Sequence, residues 1–444
     1  MVWFRLTCTG SNILSMKRTR SKKLNYGWVI LGLIFGNLFV EGGVRNTQPV
    51  LLPALRQSFG GSAAMTSAVF SLSGIVGGFA APIIGKILDR IGPRYMFPIA
   101  GTVILIGWWG SSLASHTWQI FIFYSFIATL GHTAIGSFSG TAVLAPWFPK
   151  SKGVMLGLAD SGNPAGQAVI TPLAQYTITN YGLRTGFQVV GLVFFLMTVP
   201  LNFLLQRNPP HAGADTNGID SPQSNTSYDK PSEMLTQVTT EEPVSVSDRH
   251  EAFSAVNEPT VWLLLLSRSA ASVSHQMTHL HILAFFVLAG YGEMQAAGAL
   301  GLAGIIGIVA RPSFGILSDR LGREIVFTIA MSMTFFAIVV VILFTDGANF
   351  WALILFVVLS GFSDGLSGLI LGAKAADIYR PDVLGRVMGM VDVGRGIGWA
   401  TGGIFTGLMF DIYGSYALAY WVASAMALLS IVAVWGVKLV EDKK

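Results

Sequence analysis

The chain has 444 residues, of which 52% are hydrophobic and 11% charged, less than half the charge of an ordinary soluble domain, where about 25% is usual. With 51 glycines, 29 phenylalanines and one cysteine, Cys8, it cannot hold an intrachain disulfide. It also fits poorly with a soluble enzyme or a disordered chain.

Residues 1–25 carry the basic run Met16-Lys17-Arg18-Thr19-Arg20 but no long apolar core with a cleavage site, so no secretory signal is expected there. Residues 1–15 read as an extension of little functional weight. Beyond them the apolar residues fall into runs long enough for a helix to cross a bilayer, which takes about 20. Twelve such runs follow in order: 26–44, 66–84, 97–115, 118–140, 153–178, 184–205, 259–289, 294–315, 325–345, 349–373, 384–409 and 416–438. They are broken by Gly, Ala and Ser, which let membrane helices approach closely, and lack the short alternating pattern of barrel strands. The expected fold class is an all-α polytopic membrane protein.

Between the sixth and seventh runs, residues 206–258 hold nine acids and three bases among Ser, Thr, Asn and Pro, the composition of a disordered linker. The expected division is a basic N-terminus (1–25), a six-helix bundle (26–205), the acidic linker (206–258), a second six-helix bundle (259–438) and a short tail (439–444). With the N-terminus placed in the cytoplasm, 21 of the 28 Lys and Arg fall on inward segments and three on outward loops. That asymmetry is the positive-inside pattern. It puts both termini and the linker inside a cell membrane and leaves no basicity for nucleic acid to explain.

The two halves repeat at an offset of 230–232 residues. Pro82, Gly85, Asp89, Arg90 and Gly92 recur as Pro312, Gly315, Asp319, Arg320 and Gly322; Gly153, Gly157, Asp160, Gly162 and Gly166 recur as Gly385, Gly389, Asp392, Gly394 and Gly398. Parallel repeats of six helices are a transporter architecture, with a site between two bundles that rock about it.

The motif Gly85-Lys-Ile-Leu-Asp89-Arg90-Ile-Gly92-Pro-Arg94 and its copy Gly315-Ile-Leu-Ser-Asp319-Arg320-Leu-Gly322-Arg323 resemble the loop signature of the major facilitator superfamily. The resemblance implies a twelve-helix fold of two pseudo-symmetric bundles and an inner gate at these loops. There an Asp accepts hydrogen bonds at a helix N-terminus and an Arg pairs with acids. Asn25-Tyr-Gly-Trp-Val29, Trp147-Phe-Pro-Lys-Ser-Lys-Gly153, Ala310-Arg311-Pro312 and Ala375-Ala-Asp-Ile-Tyr379 further resemble the monocarboxylate porter and oxalate–formate antiporter group. Two departures favour its bacterial-type branch. Glu41-Gly42-Gly43 lies at the end of the first span, away from its start, and the position four before Arg311 is Gly307.

Ionisable groups at membrane depth cost at least about 2.5–3.5 kcal/mol each, so each needs a reason. Arg311 stands where the resemblance places a substrate-carboxylate arginine, and a guanidinium can grip a carboxylate through two parallel hydrogen bonds. The alternative is an ion pair with an acid of another span, such as Asp364. In the seventh span, Arg268, Ser272, His275 and His279 share one helical face, with His281 pointing away; His279 suits either substrate binding and proton exchange or plain interhelical bonding. These histidines do not make one ligand face, so no metal is expected. Asp160 and Asp392 are repeat mates, three residues before Asn163 and Arg395, and Asp392 and Arg395 can meet within one turn.

The expected function is secondary transport of a small organic anion, most simply a monocarboxylate, by proton symport or carboxylate exchange. Arg311, His279, Arg395 and Asn163 are the substrate-binding candidates, and Asp160, Asp392 and Asp364 the proton-coupling candidates. The partners expected are the anion, protons and the bilayer. A monomer suffices and no cofactor is needed. No ATP-binding glycine loop occurs, since Gly85-Lys86 lacks the spacing, so an enzyme is not expected. Two alternatives remain: a proton-coupled transporter of a neutral or amphipathic solute, and a transporter-like receptor signalling through the linker.

Overall fold

The computed structural model describes residues 26–148, 152–207, 258–344, 348–379 and 381–442; the N-terminal extension, most of the linker and the last two residues lie outside them. Among the described residues there are helices and no strands. Numbered as spans, the first is Gly27–Arg45, extended after a two-residue turn by Gln48–Phe59. The second and third are Ala63–Ile91 and Pro93–Ser112. The fourth runs from Thr117 through a π-helical stretch, Phe121–Ala128, to Ile135 and Ser137–Leu144. Lys152–Asp160 and Gly162–Leu205 hold the fifth and sixth, divided at Gly182, whose φ of 82° breaks the helix. The seventh is Pro259–His279 with Ile282–Leu288, and the eighth and ninth are Glu293–Leu321 and Arg323–Phe344. The tenth is Phe350–Ser363 with Leu366–Ile378, and the last two are Pro381–Tyr413 and Ala417–Glu441.

Eight helical stretches are long and apolar enough, by length and hydropathy alone, to cross a membrane. One of them, Val154–Leu205, contains two spans. Those that fall short are the third, rich in Trp, Gly and Ser, and the seventh and eleventh, which carry charge in their middles. The two charged spans carry one of the two charged groups described below.

Each half is a six-helix bundle, and six spans bring the chain back to the end at which it started. Tyr26 donates its hydroxyl to Leu205 O, and Gly436 near the end of span 12 faces the side chain of Leu263 near the start of span 7, so the start of each half lies beside its finish. We call this the tail end and the opposite one the far end. The internal repeat is visible in packing. Gly162 of span 5 lies against Phe35 O and Phe39 N of span 1, and its repeat mate Gly394 of span 11 lies against Leu265 O and Ser269 N of span 7. A Cβ at either glycine would fall within 3 Å of partner backbone, so these small residues set how closely the helices pack.

The halves meet through spans 2 and 11 and through spans 5 and 8. Backbones come close at the far end and down to mid-depth, where Gly74 faces Trp399 and Gly307 faces Pro164. Among the described residues, hydrogen bonds between the halves also stop at mid-depth, at Arg311 and Asp160. The halves are therefore held together at the far end, and among the described residues no hydrogen bond or ion pair joins them at the tail end.

Candidate functional site

Arg311 sits mid-way along span 8, where the repeat mate in span 2 is Ala81. Its Nη1 donates to Asp160 Oδ2 of span 5 at 2.8 Å, across the interface between the halves, and its Nη2 to Asp364 Oδ2 of span 10 at 3.4 Å. Burying a guanidinium requires compensation, and two carboxylates supply it. The arginine side chain is 13% exposed and the two acids 33% and 26%, so the acids are open to water while the cation lies behind them.

Local structure places each member. Span 10 is interrupted at Asp364 and Gly365: Ser363 ends one helix and Leu366 begins the next. Gly365 holds φ 75°, the left-handed region that costs a side chain energy, and a Cβ there would lie 2.5 Å from Arg311 Nη2. Glycine thus serves twice, turning the chain and clearing the guanidinium. Asp160 ends the helical segment Lys152–Asp160, and its Oδ1 accepts from Asn163 Nδ2 at 2.8 Å and Ser137 Oγ at 3.1 Å. Asn163 itself is 1% exposed. Its amide is buried beside Asp160.

A second charged group lies on spans 7 and 11. Asp392 Oδ1 stands 3.5 Å from Arg268 Nη2, and Oδ2 accepts from Arg395 Nη2 at 3.4 Å. Arg268 also donates to Ser367 of span 10. Asp392 and Arg395 are about half exposed. The face drawn by Arg268, Ser272, His275 and His279 points inward as expected: Ser272 donates to Arg395 O, and His275 Nδ1 is 3.8 Å from Asp364 Oδ1. The His275 and His279 rings stack at 5.0 Å. His281, off that face, is fully buried beside Ser67 Oγ and Gly403 O. No group of histidine, cysteine and acid residues suited to a metal ion occurs among the described residues.

With histidines neutral, the Arg311 group holds one cation and two anions, and the Arg268 group two cations and one anion. One half of the site thus carries a net charge of −1 and the other +1. Both are linked to span 10, where Gly365 touches Arg311 and Gly368 touches Arg268 one turn further on.

The doubled loop motif ends its helix in the same way in both copies. Gly92 (φ 75°) and Gly322 (φ 96°) terminate spans 2 and 8 in the left-handed half of backbone space. In the second copy Asp319 Oδ1 accepts from Arg323 at 2.5 Å, and Arg323 also donates to Asp377 at the end of span 10. Here Asp319 is held by an arginine four residues on, where the sequence expectation had a neighbouring helix N-terminus. Gly85, Arg90, Gly315 and Arg320 lie at the corresponding tail-end positions, and the side chain of Asp89 lies outside the described residues.

The description Major Facilitator Superfamily matches this chain over residues 33–346 and 310–444. The chain belongs to the major facilitator superfamily. Among curated relatives, riboflavin transporter RibJ of Trypanosoma brucei brucei is 31% identical over 109 residues, covering 24% of this chain and 20% of that protein. The match thus spans about a fifth of that relative's length. Monocarboxylate transporter 13 of Rattus norvegicus is 22% identical over 413 residues, covering 93% and 89%. Of solved structures, a mutant of nucleoside transporter NupG superposes with a TM-score of 0.71 at 12% identity, over 93% of this chain and 100% of the other. The family match places the chain in the superfamily, the structural likeness shows its fold, and the relatives named here are transporters.

Proposed function

We propose that the protein moves a small organic anion, most simply a monocarboxylate, together with a proton, by alternating access across a cell membrane whose cytoplasmic face is the tail end. The observation that carries this reading is the sharing of Arg311 by two carboxylates, one from each half.

A substrate carboxylate competes for the same guanidinium, so one of the two acids must release it. Protonation of Asp160 or Asp364 removes one negative charge, and the arriving anion restores it. The group passes through neutrality and returns to −1 once both are bound, so proton and anion enter as an electroneutral pair. Because Asp160 belongs to one half and Arg311 to the other, that exchange also breaks an ionic tie between the halves. The Arg268–Asp392–Arg395 group, with its net positive charge, favours anion entry by attraction, and Arg395 is its more exposed cation. His275 is the polar neighbour of Asp364 on span 7, and His279 stacks behind it. In this scheme Asn163 positions Asp160.

The near full-length similarity to a monocarboxylate transporter supports the cargo class. Uptake of labelled lactate, pyruvate, formate and oxalate into proteoliposomes, with and without an inward proton gradient, tests it; no carboxylate uptake in either condition overturns it. A second reading, a neutral solute moved with protons, has one observation in its favour: Arg311 is already neutralised by carboxylates within the protein. Uptake of a nucleoside or riboflavin in the same vesicles, unaffected by carboxylates, would select it.

A further inference from the structure

Two acids outside the polar site tie the halves together at the far end. On spans 2 and 11, Asp411 Oδ1 accepts from Ala63 N at 2.8 Å and Oδ2 from Ala64 N at 2.9 Å. Ala63 and Ala64 open the second span, so the carboxylate of one half satisfies the first free N–H groups of a helix in the other. Beside it, Arg56 lies 4.9 Å above the ring of Phe410, and Gly407 of span 11 meets the backbone of Ala63 with no space for a Cβ. On spans 5 and 8, Glu293 Oε2 accepts from Gln175 Nε2 at 2.9 Å and Thr179 Oγ1 at 3.1 Å.

The internal repeat relates the two contacts. At the offset of 230 that holds for spans 2 and 8, Ala63 corresponds to Glu293; at the offset of 232 that holds for spans 5 and 11, Thr179 corresponds to Asp411 and Gln175 to Gly407. The same pair of positions meets twice about the pseudo-twofold axis, and each time one carboxylate lies in the contact. In one copy the acid ends span 11; in the other it starts span 8. The repetition with the acid exchanged between partners marks a built feature, since two unrelated surface contacts would have no reason to fall in register.

We propose that Asp411 and Glu293 form a two-part outer latch that holds the far end shut, and that its opening is a required step of alternating access. Neither acid touches the polar site, so both act by positioning the halves. This inference rests on the transporter architecture alone and is independent of the cargo. Both residues are exposed. Exposed carboxylates at helix N-termini have modest effects, so removing each should shift the open-to-closed ratio by roughly two- to fivefold.

The test is a far-end distance measurement on the full chain. With Cys8→Ser as background, Gly61→Cys and Ser415→Cys place spin labels on loops beside spans 2 and 11, and pulsed dipolar spectroscopy reads the distance between them. The expected result is a longer-distance population that grows in Asp411→Ala and in Glu293→Gln and grows further when both are combined. Asp411→Asn, which keeps one acceptor oxygen, should fall between. Distance distributions identical to the parent in the monodisperse double variant would overturn the proposal. Should Asp411→Ala not fold, Glu293→Gln decides alone, since it removes only charge, and an unchanged distribution there is equally fatal.

Discussion

At the scale of single residues, the outcome for Arg311 is the most informative. From sequence it was open to two readings, a substrate ligand or a partner of an intramembrane acid, and the structure shows it held by two acids at once. These are compatible only if an acid yields when substrate binds, which makes the charges interdependent. Arg311→Ala should abolish carboxylate uptake and also cost stability, because two carboxylates lose their shared cation; breaking a fully buried pair costs about 3–5 kcal/mol, and these partly exposed acids lose less. Adding Asp364→Asn to Arg311→Ala should recover much of the thermal stability in a melting assay without recovering uptake. Asp160→Asn should uncouple transport: the pH-gradient stimulation of uptake falls several-fold, while counterflow exchange of carboxylate at equal pH persists. Unaltered gradient dependence in both Asp160→Asn and Asp364→Asn would remove these acids from proton coupling. Gly365→Ala forces a Cβ onto Arg311 Nη2 at an unfavourable φ, and uptake should drop at least tenfold even where the protein folds.

At the scale of elements, the polar site is made by helix interruptions as much as by side chains. Span 10 breaks at Asp364–Gly365, and the helix that enters span 5 ends at Asp160; each break presents its acid to Arg311. Broken helices at mid-membrane are where transporter folds place their sites. Run lengths made the spans readable because crossing hydrocarbon demands about 20 apolar residues, and the exceptions were physical ones. The Gln48–Phe59 extension of span 1 follows Asn46-Thr47 with Pro49 in its first turn, a break with no hydropathy signature. Spans 5 and 6 are two helices that meet at Gly182, whose glycine signals a turn but not that helix resumes immediately on both sides. Close packing of spans 1 and 5 makes a further prediction. Gly166→Leu would drive a side chain into the backbone of Phe39 and Gly43, and overpacking of this kind costs roughly 1–3 kcal/mol or more. Reduced melting temperature and yield are expected, against little change for the same substitution at Gly157, which faces open space.

At the scale of the whole molecule, the repeat carries most of the information. The doubled Asp-Arg motif and the paired glycines in spans 5 and 11 made the two-bundle fold legible, since a pseudo-twofold fold leaves its offset in the residues. What the repeat could not disclose is where symmetry is abandoned. The repeat mate of Arg311 is Ala81, and the cations of the site, Arg268, Arg311 and Arg395, all belong to the second half. Periodicity assigns each to a face of its own helix, but which helices face one another is a property of tertiary packing, so the pairing of Arg311 with Asp160 was not foreseeable. Asp411 escaped sequence reading for a related reason: an acid at a helix end looks like ordinary surface charge until the facing helix is known. The aligned offsets, which set Asp411 against Thr179 and Ala63 against Glu293, were the available signal.

The central claim is that Arg311 exchanges a protein carboxylate for a substrate carboxylate as a proton binds. The direct measurement is carboxylate-driven proton movement in proteoliposomes, read with an internal pH dye, for the parent, Arg311→Ala and Asp160→Asn. The account predicts that an inward carboxylate gradient acidifies parent vesicles without generating a membrane potential and fails to do so in either variant. Acidification by Arg311→Ala at the parent rate, or a carboxylate flux in the parent that carries net charge, would contradict it.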